Sequence, residues 1–116
     1  MIVRLPYPDK VIWPNGRTLN RRYKSAAVKS HKRWAYLAAL AADEGEQFLA
    51  PVEVRLTVYP KARGPLPDQD NCSAACKAYL DGIADAIGVN DRNFTAPIIR
   101  YGERTKHGDF VLELVA

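Results

Sequence analysis

Between Pro51 and Pro60, Val52, Val54, Leu56 and Val58 alternate with Glu53, Arg55, Thr57 and Tyr59, a period of two that predicts a half-buried strand. Upstream the period is helical. From about Ser25, Ala27, Ser30/His31, Trp34, Leu37/Ala38 and Ala41 recur on one helical face, with Asp43, Glu44 and Gly45 ending the element. This face makes Trp34 a core residue, while Lys29, Lys32 and Arg33 lie elsewhere on the helix surface. A second stripe, Cys72, Ala75/Cys76, Tyr79/Leu80, Ile83 and Ala86/Ile87, predicts one further helix that stops at Gly88. Short strands are expected at 2–5, 98–103 and 110–115, the last two joined by a turn at Lys106-His107-Gly108. Phe110, Leu112 and Leu114 form the inward face of the last strand. Pro6, Pro8, Pro14 and Asn15-Gly16 mark one loop, and Gly64, Pro65 and Pro67 another. The order strand, helix, strand, helix, strand, strand predicts an α+β fold, two helices packed on a mixed or mostly antiparallel sheet.

Composition narrows the class. At 116 residues and 47% hydrophobic, the chain is long enough to bury a core of its own without disulfides or a structural metal. With no repeat and no linker, residues 1–116 read as a single domain. No run approaches the ~20 apolar residues of a membrane span, and the first residues lack a signal-peptide core, so a soluble, cytoplasmic protein with no membrane partner is expected. Cys72 and Cys76 read as core residues, because His31 and His107 lie far off and offer no zinc spacing.

Charge is unevenly placed. Residues 1–42 hold nine Lys/Arg against one acid, Asp9, whereas residues 43–116 hold eight against twelve. The basic half contains Arg17, Arg21, Arg22, Lys24, Lys29, Lys32 and Arg33, a run suited to a DNA backbone, interleaved with Tyr23, Trp34 and Tyr36. A solvated basic helix face accounts for the same charges.

The acidic half carries the candidate chemistry. In Pro67-Asp68-Gln69-Asp70-Asn71, two carboxylates stand two residues apart in what reads as extended chain before a helix, a spacing that points both the same way. Like charges held side by side need a cation or donors to offset them. Helix capping by Asp70 or Asn71 is the plainer account. Lys77 follows Asp70 by two helical turns on nearly the same face, and Asp91 lies in the loop after the helix. Three carboxylates and a lysine suit Mg²⁺ or Mn²⁺, which accept phosphate oxygens. Asp81, four residues after Lys77, is expected to form an ion pair with it rather than bind metal. An EF-hand is excluded by Ser73 and Tyr79 at its glycine and glutamate positions, and no Gly-rich loop for a nucleotide cofactor occurs.

Taken in order, Asp68-Gln69-Asp70-Asn71, then Lys77-Ala78-Tyr79-Leu80-Asp81-Gly82-Ile83, then Val89-Asn90-Asp91 resemble the RusA-type Holliday junction resolvases, small endodeoxyribonucleases common in phages and prophages. The fragments Leu5-Pro6-Tyr7-Pro8 and Pro14-Asn15-Gly16-Arg17 look like the family's N-terminal half. One departure stands out: the usual lysine position is held by Ala74, and Lys77 comes one turn later. The resemblance implies Mg²⁺-dependent cleavage of four-way junction DNA in recombination and repair. Asp68, Asp70 and Asp91 would hold metal, Lys77 would neutralise phosphate charge, and a homodimer would match the junction's twofold symmetry. The implied setting is a bacterial or phage-infected cell. No residue pattern marks the dimer surface; the apolar edge of a strand such as 52–58 or 110–115 is one place for it. The alternative is a non-catalytic DNA-binding module that uses the basic helix alone.

Overall fold

The alternating stretch becomes β2, Glu53–Tyr59, in the centre of a four-stranded sheet; the computed structural model describes residues 1–15 and 21–116. Val54, Leu56 and Val58 face one side of it and are fully buried. β2 pairs antiparallel with β4, Asp109–Val115, which in turn pairs antiparallel with β1, Ile2–Pro6. On its other side β2 pairs in parallel with β3, Ile98–Tyr101. The sheet is therefore mixed, in the order β1-β4-β2-β3.

The last two strands do not form a hairpin. After β3 the chain crosses β2 and enters the sheet between β1 and β2. Burial explains the choice: Phe110, Leu112 and Leu114 are almost wholly inaccessible, which a position flanked on both sides provides, whereas β3 leaves Ile98 half exposed at the edge. For the same reason the strands at 52–58 and 110–115 offer no free edge for a dimer, because both are paired on each side. The open edges are those of β1 and β3.

The helices cover one face of the sheet. The opposite face is polar and carries the pairs Arg4–Asp109, Arg55–Glu53 and Arg55–Glu113. α1, Arg21–Ala42, buries His31 of the expected stripe, with Ala38 packed partly against the core, but otherwise buries Ala35 and Ala39, which lie off the stripe, and leaves Trp34 and Leu37 nearly half exposed. The shift follows from how closely α1 approaches its neighbour. A Cβ placed on Gly82 would run into the Lys32 carbonyl, so the two backbones all but touch and only small residues fit between them. The contact face is set by alanine, and the larger apolar residues are turned outward.

The second expected helix is two. α2, Gln69–Ala75, and α3, Lys77–Ile87, meet at Cys76, whose ψ of −1° departs from helical values. Among the described residues there are thus three α-helices, plus one 3₁₀ turn at Asp91–Asn93, where two helices are expected. Gly88 closes α3 in the left-handed region, φ 70°, with its N–H donating to the Ala84 carbonyl. One cluster joins Tyr79, Ile83 and Cys76 from the helices to Leu56, Phe110 and Leu112 from the sheet. Among the described residues no helix is long and apolar enough to cross a membrane.

Candidate functional site

All four residues singled out for chemistry lie on the crossover that links the parallel neighbours β2 and β3. Its first part is anchored from the sheet: the Tyr101 hydroxyl donates to the Pro67 carbonyl at 2.7 Å, fixing the chain immediately before Asp68. Asp68 is the N-cap of α2. Its backbone is extended, and Oδ1 accepts from the Asn71 N–H at 2.8 Å while Oδ2 takes the Asn71 side-chain amide at 3.4 Å. Capping therefore falls to Asp68, not to Asp70 or Asn71, because the helix starts earlier than the pattern indicates. Asp70 stands in the first turn of α2, so the premise of two carboxylates side by side on extended chain fails; helical backbone turns positions two apart to different sides.

The far part of the crossover is anchored to β2. The Val52 N–H donates to the Asn93 carbonyl at 2.8 Å and the Thr95 N–H to the Val52 carbonyl at 2.9 Å, which fixes the turn bearing Asp91. Asn90 caps that turn by accepting from the Arg92 N–H. Lys77 Nζ lies 3.7 Å from Asp91 and 3.6 Å from Asp81, so one ammonium joins two carboxylates. The expected Lys77–Asp81 pair is present, and Asp91 joins it.

Asp81 and Asp91 also hydrogen-bond to each other. Partial burial and this contact push the Asp81 carboxyl above its ordinary range, whereas the hydrogen bond from Asp81 and the nearby Lys77 hold Asp91 below it. The two carboxyls therefore titrate as interacting neighbours, Asp91 losing its proton before Asp81. Asp81 is the member that sequence reasoning kept apart from the site; its signal was its spacing of four from Lys77, which placed it on the lysine's own helix face.

The structure does not bring the three predicted metal ligands together. Asp70 and Asp81 are separated by nearly continuous helix, about 16 Å at 1.5 Å per residue. Asp68 lines a 680 Å³ cleft with Tyr7, Lys61 and Arg63, while Asp91 and Asp81 line two smaller hollows of 300 and 220 Å³ on the α3 side. Among the described residues no three His, Cys, Asp or Glu side chains stand close enough to share a metal ion. Oxygen donors are the right chemistry for Mg²⁺, but as placed in one chain they do not build its coordination sphere.

Of the predicted DNA contacts, Arg17 lies outside the described residues. Arg21, Arg22, Lys24, Lys29, Lys32 and Arg33 are all exposed along α1. Lys32 reaches Asp85 on α3 at 3.1 Å and lines the same hollow as Asp81 and Asp91, so the basic helix crosses beside the lysine–carboxylate cluster.

No protein-family model matches the chain. Over 100 residues, 82% of the chain, it is 44% identical to an uncharacterized protein of Xylella fastidiosa. The matched stretch spans 63% of that relative's length.

Proposed function

We propose that the chain is a structure-specific endodeoxyribonuclease of the RusA type, acting on four-way junction DNA as a homodimer in a bacterial or phage-infected cell. The observation that carries this reading is the meeting of Lys77 with Asp91 at 3.7 Å, two residues far apart in sequence that the resemblance names independently. The exposed cations of α1, which cross beside them, support it: they are placed to hold a phosphate backbone near the cluster. In that role Lys77 neutralises charge growing on a phosphoryl oxygen during hydrolysis, and Asp91 holds its ammonium in position. The resemblance calls for Mg²⁺, with Mn²⁺ as a substitute. Among the described residues of one chain Asp68, Asp70 and Asp91 do not converge on a shared ion.

That same separation favours a second reading, a DNA-binding module in which α1 acts alone. Incubating the protein with a labelled four-way junction and a linear duplex of equal sequence, each with Mg²⁺, Mn²⁺ or EDTA, decides between the two. The nuclease reading expects symmetric, metal-dependent nicks in the junction, with Asp70→Asn abolishing cleavage and preserving binding. Tight junction binding without cutting under any metal would overturn it in favour of the binding module.

A further inference from the structure

The first proline-rich loop and the loop after β2 enclose a continuous cleft outside the Lys77–Asp91 cluster. It consists of two hollows of 640 and 680 Å³ that share Tyr7, Pro8, Lys10 and Lys61. One end is walled by Arg4, His107 and Asp109; the other opens at Arg63, Asp68 and Asn71. Tyr7 forms its floor, stacked on Trp13 at 5.1 Å and packed edge-on against Phe110, so the floor is fixed to the core.

The acids of this cleft are already engaged. Asp109 pairs with Arg4, Asp9 accepts from the Val11 N–H, and Asp68 caps α2. Its cations Lys10, Lys61 and Arg63 are exposed, and among the described residues none has a carboxylate within ion-pair distance. Lys61 Nζ sits 5.3 Å above the Tyr7 ring. Leu66, 54% exposed, stands on the wall beside them.

We propose that this cleft binds a single strand of DNA, with Lys10, Lys61 and Arg63 holding its phosphates and Tyr7 and Leu66 meeting its bases. The combination of cations that lack a carboxylate partner with the exposed Leu66 and the accessible rim of the half-buried Tyr7 suits unstacked bases, whose apolar surfaces a duplex hides. The inference rests on the nuclease reading and deepens it: the cleft ends at Asp68, so it leads a strand unpaired at a branch point toward the acidic end of α2.

The test uses the full chain and the triple variant Lys10→Gln, Lys61→Gln, Arg63→Gln, which keeps side-chain bulk at three exposed positions. Fluorescence anisotropy measures binding of a labelled oligothymidine and of a duplex across a salt series. Circular dichroism checks that the fold is kept, and junction cleavage is assayed on the same samples. The variant is expected to lose single-strand affinity by tenfold or more, with the slope of log K against log salt falling by about 2 for three lost phosphate contacts. An Arg55→Gln, Arg100→Gln variant on the sheet face away from the helices is expected to spare single-strand binding. Unchanged affinity and slope in the triple variant would overturn the proposal, as would equal loss in the sheet-face variant or failure of the parent protein to bind the oligothymidine. A parent that binds the oligothymidine through these residues yet cuts no junction would remove the nuclease reading and leave the cleft standing.

Discussion

The backbone N–H of Asp9 donates to Nε2 of His31 at 3.0 Å, while Nδ1 of the same ring meets the Ala27 carbonyl at 2.7 Å. Nδ1 therefore carries the proton and Nε2 is the acceptor. The ring is 2% exposed and lies against Tyr79 at 5.3 Å, so this buried histidine ties the loop after β1 to α1. His31→Leu keeps the apolar packing and strands the Asp9 donor. The expected loss is about 1–3 kcal/mol, read as a lower denaturation midpoint with an unchanged m-value. An unaltered midpoint would mean that the loop is held by other contacts.

Two glycines are required for different reasons, and one pair of variants separates them. Gly82→Ala drives a methyl into the Lys32 carbonyl at the α1–α3 crossing, and is expected to cost about 2–3 kcal/mol because backbone has to move. Gly88→Ala meets open space, but its φ of 70° is left-handed, and about 1–2 kcal/mol is expected from conformation alone. Chemical denaturation ranks the two; the reverse order would contradict the close crossing.

The cysteines should behave as inert core thiols. Burial pushes Cys72 up to about 11 and Cys76 up to about 12, so neither forms thiolate in the folded protein at pH 8. Ellman's reagent is expected to label them only after unfolding. Since the folded values exceed the ordinary thiol value of about 8.5, their contribution to stability is fully present below that pH and is lost as pH rises toward 11–12. Rapid labelling of the native protein at pH 8 would refute this.

Lys77 holds down both members of the Asp81–Asp91 pair. Lys77→Met is therefore expected to raise both carboxyl titrations, Asp91 from below its ordinary range and Asp81 further above it, as followed by carbon NMR of the side-chain carboxyls. The parent protein retains the favourable Asp91 ionisation above the ordinary carboxylate pKa, and loses it as pH falls. Titrations unmoved by the substitution would separate the lysine from the pair in solution.

What could be read from the chain depended on whether the relevant contacts are local. Alternation at 52–59 needs only a buried face and a solvent face, and β2 formed where the pattern put it. The α+β architecture with a mixed sheet followed from the same kind of signal. Strand order did not, because nothing local distinguishes a hairpin from a strand that crosses its neighbour; the decisive quantity was how much of Phe110, Leu112 and Leu114 had to be covered. The buried face of α1 is turned away from Trp34 and Leu37 because the close approach at Gly82 on α3 leaves room for small residues such as Ala35 and Ala39, a contact that spacing within α1 does not reveal. At the site, Lys77–Asp81 was legible as a one-turn spacing, while the approach of Asp91 required the fold of the intervening loop. Asp68 and Asp70 do not stand side by side because the first helical residue, Gln69, lies between them, a boundary that the two-residue spacing does not mark.

The break between α2 and α3 sits one residue before Lys77 and six after Asp70. With ψ at −1°, Cys76 sets the angle at which α3 leaves α2, and so the direction in which the lysine points relative to that aspartate. Both charges ride on rigid turns, and a single pair of torsions between them acts as their common steering joint. The Cys76 N–H donates to the Cys72 carbonyl and the Leu80 N–H to the Cys76 carbonyl, so the joint is tied on both sides. A bulkier residue at this wholly buried position is expected to disturb the turn that carries the ammonium without altering the charge of either group.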